Sequence, residues 1–169
     1  MIVRRERLAD RAAARAVQAA AFDRGEGEPP EARLLDELRK DDGWIPELSW
    51  VAEINGRVVG HGVCTRGHVG EVDCVGLGPI GVVSDAQRAG VGSALMYAMI
   101  GAADALGEPL IALLGDPAYY SRFGFVPSTD LGIHPPESWG AHFQVLPLSM
   151  WTESIEGSFQ YAAPFDTIG

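Results

Sequence analysis

The chain has 169 residues, enough for one domain (1–169) with a sizeable core and too few for two ordinary domains. Hydrophobic residues make up 47 % of it, yet there is no signal peptide and no apolar run of about 18 residues, so we expect a packed cytoplasmic protein without a membrane partner. The formal net charge of −10 argues against nucleic acid as a partner and would attract a cationic substrate such as an amine.

The N-terminal segment predicts one strand followed by two helices. Residues 2–5 favour a short edge strand, and Asp10 is expected to cap an alanine-rich helix that continues to about Phe22. Residues 29–30, both proline, suit the first turn of a second helix, in which leucines follow at helical spacing.

Three strands are expected next. Residues 49–54 and 57–65 flank Asn55-Gly56, the strongest two-residue hairpin signal. Residues 68–73 are interpreted as a loop or a weak strand end. Residues 74–83 are apolar and rich in glycine, which is typical of a buried central strand with a bulge.

The C-terminal half predicts a third helix over residues 92–106, which Gly107 stops. A short buried strand over 110–114 and one or two helical turns over 119–123 follow. Apolar and polar residues alternate again in the C-terminal tail. This pattern predicts two final strands, over residues 142–148 and 157–161. This element order indicates an α/β fold, mixed α+β in organisation.

Two cysteines, Cys64 and Cys74, lack the spacing to a histidine pair that a zinc site requires, so we expect no metal. A single disulfide stays open, although two buried free thiols are the favoured interpretation. Residues 76–81 match the Gly-x-Gly-x-x-Gly fingerprint of dinucleotide sites, which should open a helix. Pro79 and the valines that follow favour a strand instead, so a nucleotide fold is not predicted.

A glycine-bearing loop, residues 87–92, joins the central strand to the third helix. The first N–H groups of a helix have no partner within the helix, and the macrodipole adds partial positive charge there, which makes an anion site. Glycines at 90 and 92 would let a pyrophosphate approach the backbone without a Cβ in the way. An ordinary turn is the alternative, but the position between a buried strand and a patterned helix favours the anion site.

Two motifs resemble those of a known family. Gln87-x-x-Gly90-x-Gly92 resembles the pyrophosphate loop of the GNAT superfamily of acyl-CoA-dependent N-acyltransferases, and residues 120–125 resemble its Tyr-x-x-Leu-Gly-Phe segment. The longer run over 114–125 looks like the YhbS-like branch of that superfamily. The resemblance covers nearly the whole chain and implies a GNAT-like fold, a twisted mixed sheet of about six to seven strands flanked by about four helices.

The resemblance implies acetyl-CoA as co-substrate and an amine, in a small molecule or a protein, as acceptor. The pantetheine is expected along the central strand, with a backbone N–H near residues 80–82 polarising the thioester. Asp116 either contacts the donor or serves as an ordinary turn and helix-start residue, and the sequence favours neither role. The expected donor-binding residues are Ile80, Gly81, Val82, Gln87, Arg88, Ala89, Gly90, Val91, Gly92, Ser93, Asp116, Tyr120 and Phe123.

For the chemistry, the resemblance implies Tyr120 as the general acid that protonates the leaving thiolate, since a phenol has a reference pKa near about 10. Packing is the alternative role. The central strand offers no acid or histidine as a base. Asp73 is the favoured candidate, and a neutral amine that needs no base is another solution. The other nearby candidates are His68, Glu71, Glu53 and His61.

Two further alternatives stay open. A catalytically inactive CoA-binding or sensor protein would keep the 87–92 loop but would not need Tyr120 or a base. A homodimer through the C-terminal strands is compatible with the sequence and is not specified by it.

Overall fold

The computed structural model describes residues 1–168. The helices are α1 (Arg11–Ala21), α2 (Pro30–Leu38), α3 (Val91–Ala105) and α4 (Pro117–Tyr120). The strands are β1 (Ile2–Arg5), β2 (Ser49–Ile54), β3 (Arg57–Val69), β4 (Val72–Val82), β5 (Leu110–Leu114), β6 (Val126–Pro127), β7 (Ile133–His134), β8 (Phe143–Pro147) and β9 (Gly157–Gln160). The mixed α/β fold predicted from the sequence is confirmed. No helix in this part of the chain is long and apolar enough to cross a membrane.

The strands form one mixed sheet with helices on both faces. Its main path runs β1-β2-β3-β4-β5-β8-β6, and β9 joins it at β3 and carries β7. Val63 of β3 faces α1 and α2, whereas its neighbour Cys64 faces α3, because successive side chains of a strand point to opposite faces. The 3.6-residue period of the helices and the two-residue period of the strands thus build a core on either side of the sheet.

A bulge interrupts the central strand, as the glycine-rich pattern predicts. Gly62 of β3 pairs with Ile80 of β4, but Cys64 pairs with Leu77, so one more residue is used on β4 than on β3. The additional residue of β4 lies at Gly78-Pro79. Residues 76–81 therefore lie within a strand, as expected, and do not open a helix.

The central strand separates from its other neighbour just beyond this region. The parallel strands β4 and β5 pair only at Val75 with Ile111 and at Gly76 with Ala112. From Leu77 to Val82, the edge of β4 that faces β5 has no strand partner in the described part of the chain. This gap between β4 and β5 positions the candidate site.

Several local expectations require correction. Of the two alternatives for residues 68–73, the structure has strand ends: β3 continues to Val69 and β4 begins at Val72, with only a two-residue turn between them, and β9 pairs with the end of β3. The short strands β6 and β7 were not predicted, since two residues carry no readable period. Helix α1 begins after Asp10 as expected, but the Asp10 carboxylate accepts from the backbone N–H of Arg7 and from Arg4 instead of capping the helix.

Both cysteines are buried and free, as favoured, and burial raises the pKa of the Cys64 and Cys74 thiols. Desolvation disfavours the thiolate, so these side chains behave as small apolar residues of the core. Across residues 1–168, no cluster of three or more His, Cys, Asp or Glu side chains is arranged to hold a metal ion.

Candidate functional site

The loop between β4 and α3 presents free amides. Gly90 has φ +80° and Arg88 has φ +62°, both in the left-handed region, so the chain turns sharply before the helix. The Gln87 side chain donates to the Val82 carbonyl oxygen at 3.1 Å and ties the loop to the end of β4. The first helical hydrogen bond is from Ala94 N–H to the Gly90 carbonyl at 3.0 Å, which leaves the three preceding N–H groups of α3 available to an anion.

A cleft of about 550 Å³ joins this loop to the open edge of β4. The structure therefore brings together the central strand, the loop, the start of α3 and the turn of α4, as the motif order implied. Predicted residues that line the cleft are Ile80, Gly81, Val82, Gln87, Arg88, Gly90, Val91, Gly92, Ser93 and Tyr120.

Three expected donor-binding residues lie outside the lining. Ala89 is part of the loop but does not face the cleft. Asp116 caps α4, with its carboxylate accepting from Ala118 N–H at 2.9 Å, which is the turn chemistry given as its alternative role. Phe123 is buried behind the wall, where its ring packs edge-on against Tyr119 at 5.5 Å between centroids. Its role is to support the cleft from behind.

Three residues of the cleft lining lie outside the expected donor-binding set: Ala86, Tyr119, which the sequence suggests as packing or substrate wall, and Arg122. Tyr119 and Arg122 both line the cleft, and the Arg122 guanidinium lies 4.5 Å from the centre of the Tyr119 ring. Their spacing of three residues in a helical turn is the signal that could have paired them. Arg122 and Arg88 bring positive charge to this cleft in a chain of net charge −10.

Tyr120 is held in place by aromatic packing. Its ring is edge-on to Tyr119 at 4.9 Å and to Phe125 at 6.1 Å, and it lies directly against Gly115, which has no room for a side chain. Burial, with a smaller contribution from Tyr119, raises the pKa of Tyr120 to about 12. The phenol is therefore protonated at neutral pH and can act as a proton donor.

The structure does not bring Asp73 to the cleft. Asp73 lies at the opposite end of β4 from Val82, and its carboxylate is 3.1 Å from His68 Nε2 in an exposed pair. The pairing of β3 with β4 fixes this separation. Asp73 lies beside the β3–β4 turn, whereas the cleft lies at the other end of β4. Asp73 is therefore too far from the cleft to act as the base.

The other base candidates are also engaged elsewhere. Glu53 pairs with Arg4 at 3.0 Å, and His61 is fully buried between α1 and the sheet. Glu71 stands in the exposed β3–β4 turn. Among residues 1–168, no carboxylate lines the cleft.

A larger groove of about 800 Å³ lies between α1, α2 and the C-terminal tail. Two of the four arginines that line it, Arg15 and Arg39, are paired with the carboxylates of Asp36 and Glu6. None of its described lining residues comes from β4, β5 or the 87–92 loop. We therefore place the candidate site in the smaller cleft.

Residues 11–125 match the model of the Acetyltransferase (GNAT) family. The chain belongs to this family. It is 31 % identical over 162 residues to the uncharacterized N-acetyltransferase YjhQ of Escherichia coli K12, covering 90 % of this chain and 87 % of YjhQ. It is 32 % identical over 97 residues to the uncharacterized N-acetyltransferase YhbS of the same strain, covering 56 % of this chain and 58 % of YhbS.

Two solved structures of GNAT proteins resemble this one closely. The structure of E. coli YhbS in complex with CoA has a TM-score of 0.90 at 26 % identity and covers 99 % of this chain and 93 % of YhbS. A GNAT acetyltransferase from Brucella melitensis in complex with acetyl-CoA has a TM-score of 0.79 at 32 % identity, covering 98 % and 97 % of the two chains. The predicted membership of the GNAT family and its YhbS-like branch is thus confirmed.

Proposed function

We propose that this protein transfers an acetyl group from acetyl-CoA to a primary amine, by direct attack of the amine on the thioester in a ternary complex. The observation that carries the proposal is one continuous cleft from the free amides at the start of α3 to the open edge of β4. Two GNAT proteins of similar structure hold CoA or acetyl-CoA, which supports the same donor here.

The residues of the cleft suit each part of such a donor. The N–H groups of Val91, Gly92 and Ser93 would bind the pyrophosphate, with Arg88 and Arg122 adding charge. The unpaired edge of β4 from Ile80 to Val82 would pair with the pantetheine amides as an added strand. The acyl end of the donor would then lie where β4 and β5 come together.

The chemistry follows from balancing charge at the reacting atoms. The amine nitrogen bonds to the thioester carbonyl carbon, a free N–H of β4 stabilises the oxyanion, and the carbon–sulfur bond then breaks. Tyr120 gives its proton to the leaving thiolate, and the amine gives up one proton. Because no carboxylate lines the cleft within the described residues, we propose that the acceptor binds as the neutral amine and that its proton passes to solvent. Solvent then returns a proton to the Tyr120 phenolate.

An inactive CoA-binding or sensor protein is the alternative function. The same absence of a lining carboxylate favours it, since binding of the donor requires only the loop and the edge of β4. The two functions differ in turnover and not in donor affinity. Release of free thiol from acetyl-CoA with a panel of small and peptide amines separates them.

Donor binding is tested by titration calorimetry with acetyl-CoA on the wild type, Gly90→Asp and the matched control Gly90→Asn. A side chain at Gly90 has open space around it, and both residues tolerate the left-handed conformation. Only Asp adds a negative charge beside the pyrophosphate. We expect Asp to bind at least about tenfold more weakly than Asn, a Coulomb effect of about 1.4 kcal/mol or more. Equal affinities for the two variants would place the pyrophosphate elsewhere.

A further inference from the structure

One aromatic side chain lies at the point where β4 and β5 begin to separate. Tyr161 follows β9, and its ring lies against Gly76, where an added Cβ would be 2.6 Å from ring carbons. Gly76 belongs to the last residue pair between β4 and β5 before the strands separate. The ring therefore covers the backbone of β4 at the point where the gap begins.

The phenol of the same residue lies toward the other strand. It is close enough to the backbone of Leu114 on β5 for that backbone to affect the pKa of Tyr161. The direction of this amide is consistent, because Gly115 N–H bonds to His142 on the β8 side at 2.9 Å and successive amides of a strand point to opposite edges. Leu114 N–H therefore points toward β4, the strand against which the Tyr161 ring lies.

The position of the ring is fixed by its neighbours. Phe165 stacks on it at 4.4 Å between centroids, and Phe159 meets it edge-on at 4.8 Å. Phe165 in turn lies 3.7 Å from the place where a Cβ at Gly78 would stand. The C-terminal tail thus fills the face of β4 that its glycines leave bare, and Tyr161 has little room to move.

The described lining of the cleft reaches Ile80 on β4, four residues from Gly76, where the Tyr161 ring lies. A donor bound by its pyrophosphate at the 87–92 loop would extend along the edge of β4 from Val82 toward Gly76, a distance of about 20 Å for six strand residues. An extended pantetheine arm is of similar length. Its acyl group would then meet Tyr161, with Tyr120 near enough to contribute to the electrostatics of the Tyr161 phenol.

We propose that Tyr161 is the specificity-determining residue for the donor, forming the floor of the acyl pocket and restricting it to short acyl groups. The inference rests on the proposed function, because it requires the acyl-CoA to lie in this cleft. A longer acyl chain would have to displace the ring from its position against Gly76. An acetyl group ends before the ring.

The test is calorimetric titration of CoA, acetyl-CoA, butyryl-CoA and hexanoyl-CoA, which needs no knowledge of the acceptor. For the wild type, we expect hexanoyl-CoA to bind at least about tenfold more weakly than acetyl-CoA. Tyr161→Ala should reduce this ratio by about tenfold, because the ring is gone. Tyr161→Phe is the matched control: it keeps the ring and should leave the ratio within about twofold. Comparing acyl chains within one variant removes general effects on stability.

Each outcome decides a different point. If the wild type binds CoA and acetyl-CoA but binds hexanoyl-CoA equally well, the role of Tyr161 is refuted and the proposed function stands. If it binds neither CoA nor acetyl-CoA, the proposed function itself fails. Should Tyr161→Ala not fold, Tyr161→Leu retains more core volume and shortens the side chain. An unchanged ratio in a folded Ala or Leu variant, or an equal change in Tyr161→Phe, would also overturn the inference.

Discussion

At the scale of single residues, the proposed reaction depends most on Tyr120. Its hydroxyl is the one part of the side chain that packing does not explain, since the ring alone fills the space between Tyr119, Phe125 and Gly115. A raised pKa of about 12 keeps the phenol protonated, as a general acid requires. The phenol and the ring can therefore be separated by experiment.

Tyr120→Phe should lower kcat by about 10²-fold to 10⁴-fold, the range typical of a lost general acid. We expect the Kd for acetyl-CoA to change by less than about threefold, because the ring stays in place. The measurement is thiol release with any amine that the wild type acetylates. Tyr119→Phe is the control in the same turn and should retain most of its activity. Unchanged kcat in Tyr120→Phe would assign that residue to packing alone.

At the scale of elements, a buried polar network attaches α1 to the sheet beside the bulge. Gln18 of α1 donates to His61 Nδ1 at 2.8 Å and has Pro79 O within 3.4 Å, while His61 Nε2 is 3.0 Å from the Ser49 hydroxyl. Glu6 accepts from Ser49 and pairs with Arg39. These contacts join the helix to both β3 and β4, so they should fix the bulge that keeps β4 away from β5.

This network should make stability depend on pH. Burial lowers the pKa of His61 despite the nearby Glu6, so the folded protein keeps this imidazole neutral where the unfolded chain binds a proton. The free energy of unfolding should be highest above about pH 6.5. Below that pH it should decrease by up to about 1.4 kcal/mol per pH unit. Burial opposes, but the neighbouring His61 and Ser49 outweigh it and lower the pKa of Glu6. Glu6 therefore reduces the free energy of unfolding only as the pH falls below about 4.5.

Urea denaturation at pH 7.5, 6.5 and 5.5 measures this dependence. His61→Gln should be less stable than the wild type at pH 7.5 and should lose less stability than the wild type between pH 7.5 and 5.5. His134→Gln changes an exposed histidine and should follow the wild type. Parallel pH profiles for the wild type and His61→Gln would show that His61 does not titrate in this range.

At the scale of the whole molecule, the donor would bind across two parts of the fold that the sheet does not join. It would contact the start of α3 and the separated strands β4 and β5. These elements come together only in the folded state. A ligand that binds only the folded state stabilises it by about 2.7 kcal/mol at 100 times its Kd. Donor binding should therefore stabilise the whole domain and not a single element of it.

Acetyl-CoA at 100 times its Kd should raise the Tm by about 5 to 10 °C for a domain of this size. Differential scanning calorimetry measures the shift, with Gly90→Asp at the same ligand concentration as the control. We expect a smaller shift for that variant because its affinity is lower. No shift in the wild type at millimolar acetyl-CoA would contradict donor binding.

Much of the fold could be predicted because its signals are local. The Asn55-Gly56 hairpin, the bulged strand near Pro79 and the loop before α3 are each specified within a few residues. The end of β3 could not be predicted, since β9 extends it through pairing that is distant in sequence. The strands β6 and β7 are too short to carry a period.

The candidate site divides in the same way. The sequence by itself determined the family, the glycine loop at the start of α3 and the position of Tyr120 in the cleft, because a strand, a turn and a helix in sequence fix their own geometry. Only the tertiary structure decided that Asp73 is far from the cleft and that the Tyr161 ring packs against Gly76, where β4 and β5 separate. Both depend on strand register and on packing of the C-terminal tail, and such contacts join residues with no local signal of their proximity.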